Sequence, residues 1–393
     1  MPQVNPQILR WARETAGFNL EEAAKALQIG GARRPADEIL HAYEEGEISP
    51  SRPLLLKMAK QYRRPLLAFY LAHPPQRGER GEDFRTLPFE REHESAPKLD
   101  ALVRDVHVRQ HLVRGILEDV EEAEPLPFVG SITLKHSVND AARLISEKLR
   151  FDIGEFRRRK TIEDAFGYLR GLTEKAGVFV LLIGNLGTHH TAFNTEVFRG
   201  FALADRVAPF IVINDQDAKS AWAFTLLHEL THIWLGATGV SGSDFEQHIE
   251  QFCNDVASEI LLPDQELAQL RGIGDDLQEG AALIGEFASR RRISRALVAY
   301  RLLKANRIPL RLWRAYSEEF RKAWESEKAA KKKAKGSDDE GGPNYYVVRR
   351  HKVGAALLDV VRRAMAEGFV TPTKAGRVLG VRANNVEALV RAN

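Results

Sequence analysis

The strongest constraint on this 393-residue chain is the run Ala223-Phe224-Thr225-Leu226-Leu227-His228-Glu229-Leu230-Thr231-His232. It is helix-length and apolar, yet it carries His-Glu-x-x-His. Histidines four apart on a helix project from one face on successive turns, so both imidazoles can reach a single ion. The glutamate beside the first histidine can reach a water held on that ion and act as general base, which is how a zinc peptidase is built. Two imidazoles merely packed in a core would each need a hydrogen-bond partner. The expectation is a helix that binds metal through His228 and His232, with Glu229 as the catalytic base.

A hydrolytic zinc site usually takes a third protein ligand and leaves one position for water. The next helical segment, from Phe245 to Pro263, supplies the candidates. Its apolar stripe runs Ile249, Phe252, Cys253, Val256, Ala257, Ile260 and Leu261, the period of a helix packed on another. Glu250 borders that stripe and Asn254 follows one turn later, where an amide could hold the carboxylate by a supporting hydrogen bond. Glu246 reads as more exposed, Glu259 lies near the helix end, and His248 is chemically able. Cys253 reads as a small core residue. Glu250 is the chosen third ligand, with Asn254 supporting it.

These residues, together with Pro209-Phe210-Ile211-Val212-Ile213-Asn214 upstream and Leu261-Leu262-Pro263 downstream, resemble the ImmA/IrrE family of metallo-endopeptidases over roughly residues 175 to 300. That family is similar to thermolysin-like enzymes in its ligand set, and its studied members cut helix-turn-helix repressors. The resemblance implies Zn2+ on His228, His232 and Glu250, with Glu229 as base. Thr231, where glycine is usual, and Cys253, where alanine is commoner, depart from the pattern without removing a reacting group. The tetrahedral oxyanion needs a further donor, for which His189 and His190 are candidates.

Residues 1–75 read as five short helices. Asn5-Pro6 opens the first and Gly17 closes it; Asn19-Leu20-Glu21-Glu22 forms a capping box for the second. The pattern, with Tyr43-Glu44-Glu45-Gly46 ending the third helix, resembles an Xre-type, lambda-repressor-like helix-turn-helix domain. Leu9, Ala12, Ala23, Ala24, Leu27, Leu55 and Ala59 are its expected core. Fold likeness alone does not establish DNA binding. Asp37, Glu38, Glu44 and Glu45 make the helix that would enter a groove acidic, with only Arg33 and Arg34 before it, and phosphates repel such a surface. DNA binding and a retained protein-docking surface are the two alternatives here.

Residues 76–98 read as a Pro/Gly-rich, charged linker and 99–325 as the metallopeptidase domain. Three apolar runs near 178–184, 198–204 and 209–214 read as strands of a small antiparallel sheet before the metal helix, which Asp215 or Asp217 could cap and Gly236 could end. Residues 326–343, with Lys331-Lys332-Lys333, read as a charged linker. The basic segment 344–393 carries Thr371-Pro372-Thr373-Lys374-Ala375-Gly376-Arg377-Val378-Leu379-Gly380-Val381, then Asn384-Asn385-Val386, which reads helix, Gly turn, helix. Arg377 and Arg382 are its candidate DNA contacts; the plainer alternative is a basic helical pair packed on the catalytic domain.

The expected fold class is mostly α, with an α+β zinc-peptidase core between an all-α N-terminal domain and a small helical C-terminal domain. A content of 44% hydrophobic and 28% charged residues is that of a soluble globular chain. The single cysteine excludes a disulfide framework and suits a reducing cytoplasm. No leader is expected, and no apolar run is long enough for a bilayer. The expected function is a regulatory zinc endopeptidase cutting a partner protein. The alternative is an antitoxin or transcriptional regulator with a toxin partner, such as a PIN-like ribonuclease, and little or no proteolysis.

Overall fold

The computed structural model describes residues 4–30, 34–75, 89–187, 191–236, 243–274, 276–335 and 344–391. The chain forms two compact units, one of Met1–Arg80 with Phe84–Val106 and the other of Gly81–Asp83 with His107–Asn393.

The first unit opens with helices α1 (Pro6–Thr15), α2 (Leu20–Leu27), α3 (Ala36–Glu44) and α4 (Arg52–Gln61), followed by a 3₁₀ turn at Leu66–Tyr70. Local signals fix their ends. The Asn5 side chain accepts from the Gln7 amide with Pro6 at the first position, and Asn19 and Glu22 form the reciprocal capping box. Gly17 adopts φ +78° just past α1. Leu9, Ala12, Ala23, Ala24, Leu27 and Leu55 pack with Ile8, Leu40, Met58, Tyr62 and Phe69, while Ala59 is only partly buried. Glu44 is turned inward: both its oxygens accept from Arg13, at 2.7 and 2.9 Å. A buried charge needs such pairing, so Glu44 takes no part in the outer face of α3, which exposes Glu38, His41 and Glu45.

Helix α5 (Phe89–Asp119) carries residues of both units and starts inside the stretch read as a linker. Its buried Leu99, Leu102, Val106, Val113 and Ile116 hold helical spacing throughout. The second unit continues with α6 (Val138–Leu149), α7 (Ile153–Arg158) and α8 (Ile162–Lys175), then strands β1 (Phe179–Leu182), β2 (Gly200–Leu203) and β3 (Phe210–Ile213). Helices α9 (Trp222–Leu235), α10 (Ser243–Leu261), α11 (Asp264–Leu267), α12 (Leu277–Arg291), α13 (Arg295–Lys304) and α14 (Leu310–Lys335) follow, the last running on past residue 325. The chain closes with α15 (Tyr345–Val353), α16 (Ala355–Ala366), α17 (Pro372–Leu379) and α18 (Ala383–Arg391).

The sheet is mixed rather than antiparallel, in the order β1-β3-β2. β2 meets β3 antiparallel, with Gly200 opposite Ile213, because only residues 204–209 join them. Asp205 tightens that turn by accepting the Val207 and Ala208 amides, both at 2.8 Å. β1 arrives from α8 on the other side of β3 and runs parallel to it, Phe179 opposite Phe210. Every residue of β1 and β3 is buried, so their apolar runs carried no alternation from which to read direction.

The C-terminal helices are part of the second unit. Arg170 and Glu174 of α8, both buried, form an ion pair at 3.0 Å. Arg170 also donates to the carbonyls of Val180 and His351, and Glu174 accepts the Ala355 and Ala356 amides that begin α16, at 3.0 and 3.2 Å. Gly354 turns the chain at φ +90°, where a Cβ would lie 2.2 Å from Glu174 Oε1. Replacing Arg170 by Met strands a buried carboxylate and should cost about 3–5 kcal/mol of stability; Gly354→Ala combines strain with a clash and should cost about 3 kcal/mol. Denaturant midpoints check both, and midpoints equal to the parent's would refute this account of the junction.

Candidate metal centre

Helix α9 is apolar on all sides because it lies inside the unit, packed against α8, α10, β2 and β3. Neither Asp215 nor Asp217 caps it. A 3₁₀ turn at Lys219–Ala221 intervenes, Asp217 accepts the Ala218 amide at 2.7 Å, and Asp215 pairs with Lys352 at 2.6 Å. Its other end is closed as the sequence implied, by Gly236 at φ +62°. There the chain crosses Gly130: a Cβ on Gly236 would lie 2.8 Å from the Gly130 Cα. The Gly130 and Ile132 amides donate to the Ile233 and Trp234 carbonyls, both at 3.1 Å, satisfying groups a buried helix end would otherwise strand.

Within this helix His228, Glu229 and His232 are 0%, 1% and 4% exposed, so three ionisable side chains sit where polar groups need partners. The two Nε2 atoms are 3.1 Å apart. Glu250, reaching across from α10, places Oε2 3.3 Å from His228 Nε2 and Oε1 3.3 Å from His232 Nε2. An ion held tetrahedrally at about 2.0–2.1 Å from each donor separates its ligand atoms by roughly 3.3 Å. The two imidazole nitrogens stand at about that separation, each meets one of the two Glu250 oxygens at the same distance, and imidazole and carboxylate donors suit a divalent ion of the zinc class. Glu250 is the most exposed of the three.

Glu229 completes a compact His228–Glu229–His232 group whose potential ligand atoms all lie within 4.8 Å of one another. Glu250 lies across from both imidazoles, and Glu229 stands beside them. The Glu229 carboxylate faces β2, where a Cβ on Gly200 would fall 2.7 Å from Glu229 Oε1 and 2.6 Å from Thr225 Cγ2. Gly200 is therefore a site residue that sequence reasoning passed over, although a glycine opening a strand pattern signals close approach. Thr231 replaces the expected glycine without disturbance, because its hydroxyl donates to the Leu227 carbonyl at 2.8 Å.

The other candidates separate from the centre. Cys253 is fully buried in the face of α10, and His248 is exposed. Glu259 pairs with Arg301. Asn254 lies half-buried one turn beyond Glu250, and no hydrogen bond joins the two among the described residues. The side chain of Glu246, together with His189, His190 and Arg33, lies outside the described residues. Arg34 is exposed just before α3, and Arg377 and Arg382 are exposed on the C-terminal helices. No described helix is long and apolar enough to cross a membrane.

No curated protein matches this chain. Residues 178–303, which span the sheet, both helices of the centre and α13, match the peptidase M78 family model, the IrrE N-terminal-like domain.

Proposed function

We propose that this chain is a zinc-dependent endopeptidase that cuts a partner regulatory protein. The observation carrying the reading is the triangle of His228, His232 and Glu250 at 3.1–3.3 Å, with the buried Glu229 carboxylate beside it inside a peptidase-like domain. When bound, zinc supplies Lewis acidity toward a carbonyl oxygen and toward water. Glu229, held between α9 and Gly200, takes the proton from the attacking water and returns it to the departing amine nitrogen. Asn254 is assigned a supporting role toward Glu250 once the metal has drawn that carboxylate in. The N-terminal helices serve as a docking surface for the protein partner, since Glu38, His41 and Glu45 line the outer face of α3.

Three outcomes test the reading. Purified protein should contain about one zinc per chain by elemental analysis; His228→Ala and His232→Ala should lose it, while Glu229→Gln retains it. Co-expression with the products of adjacent genes, followed by mass spectrometry of new chain termini, should show cleavage that Glu229→Gln reduces by about 10²–10⁴-fold. Undiminished cleavage by that variant would refute the mechanism, and no cleavage of any neighbour by zinc-loaded wild type would favour the non-proteolytic regulator. Gly200→Val should displace the Glu229 carboxylate and lower turnover while leaving the zinc content near one; unchanged turnover would remove Gly200 from the site.

A further inference from the structure

Four basic side chains on the last two helices are disposed quite differently from the rest of the basic C-terminal segment. Arg349 donates to the Leu379 and Gly380 carbonyls at 2.8 and 2.6 Å, and Arg350 to the Leu389 carbonyl at 3.0 Å. Lys352 pairs with Asp215, and Arg362 and Arg363 with Asp359. These charges hold the segment together. Arg377 and Arg382 do not: both are exposed, and no ion pair or hydrogen bond engages either guanidinium among the described residues. Lys374 reaches only the solvent-facing Asp119, at 3.3 Å, and Arg391 pairs with Glu387 one turn back on its own helix.

The backbone that carries them is a tight pair. Helices α17 and α18 are joined by three residues, Gly380-Val381-Arg382, with Gly380 at φ +64°. Gly376 lets α17 lie against the start of α18; a Cβ there would be 2.7 Å from the Val381 carbonyl and 3.3 Å from the Ala383 nitrogen. Val378, Leu379, Val386 and Leu389 are buried beneath the pair. What remains outward on α18 is Arg382, Ala383, Asn384, Glu387, Ala388 and Arg391, a stripe at helical spacing whose two alanines leave it slim.

We infer that α17 and α18 form a helix-turn-helix that binds duplex DNA, with α18 in the major groove and α17 against the phosphate backbone. Two helices joined by a three-residue, glycine-containing turn form the motif that presents its second helix to a groove. Arginine and asparagine are the side chains whose paired donors and acceptors match guanine and adenine edges, and Arg382 and Asn384 occupy the leading end of α18. Arg377 and Lys374, on α17, are placed for phosphates, which fix register without reading sequence. Double-stranded RNA is a poorer fit, because its major groove is too deep and narrow for a helix. An acidic protein would satisfy the charges but gives no reason for the slim stripe.

The test uses the full chain and 30-base-pair duplexes drawn from a randomised library, followed by fluorescence anisotropy on the recovered sequences at 50 and 200 mM salt. Selection of a shared sequence is expected, with affinity falling steeply as salt rises. The double substitution Arg377→Ala with Arg382→Ala should weaken binding at least about tenfold and lower the salt slope by about one, from the lost Arg377 phosphate contact. Asn384→Ala should change the base preferred at one position, and none of these exposed substitutions should shift the melting temperature. The inference fails if no duplex is retained at 50 mM salt, or if the double variant binds as the parent does. It fails equally if polyglutamate displaces the protein as readily as unlabelled duplex, which would mark an acidic protein as the partner. None of these outcomes depends on the peptidase reading.

Discussion

Two imidazoles and one carboxylate buried in α9 meet the partly exposed Glu250 of α10, and that meeting point sets the terms for the second unit. The two Nε2 atoms face each other at 3.1 Å, each is 3.3 Å from a Glu250 oxygen, and the His228–Glu229–His232 group is one that could hold a metal ion. The surrounding elements make sense as means of holding that point fixed. β2 backs Glu229 through Gly200, α10 delivers Glu250, and residues 130–132 close the carbonyl end of α9.

How much of this was legible in the sequence depended on how local the determining physics was. Asn5, Asn19 and Glu22, Gly17 and Gly236 act within a few residues of where they stand, and each does in the structure what its position implied. The His-Glu-x-x-His spacing is likewise a property of one helix, and Glu250, which borders the apolar stripe of α10, stands 3.3 Å from both imidazoles. Where partners are distant, the reading gave way. Asp215 counted as a possible cap until Lys352, far along the chain, paired with it, and Glu44 counted as a surface acid until Arg13, 31 residues earlier, claimed both its oxygens. Strand direction was equally hidden, since buried four-residue runs look the same whichever way their neighbours run.

Glycines mark where backbones approach too closely for any side chain. Gly200 admits Glu229, Gly236 and Gly130 cross at the end of α9, Gly354 turns over the Arg170–Glu174 pair, and Gly376 seats α18. The neighbour that requires each one lies on a separate element. Four of the five stand beside the centre or the C-terminal junction, so the two regions depend on the same economy of space.

The Arg170 clamp also bears on how the molecule comes into being. Its guanidinium waits for a carbonyl 181 positions later, and Glu174 for amides equally far along. During synthesis on the ribosome, α8 and β1 therefore emerge with a charge pair only half enclosed, and the region is completed some 181 residues later. The outer edge of the sheet that packs on α9 is thus enclosed only once α15 and α16 have been made.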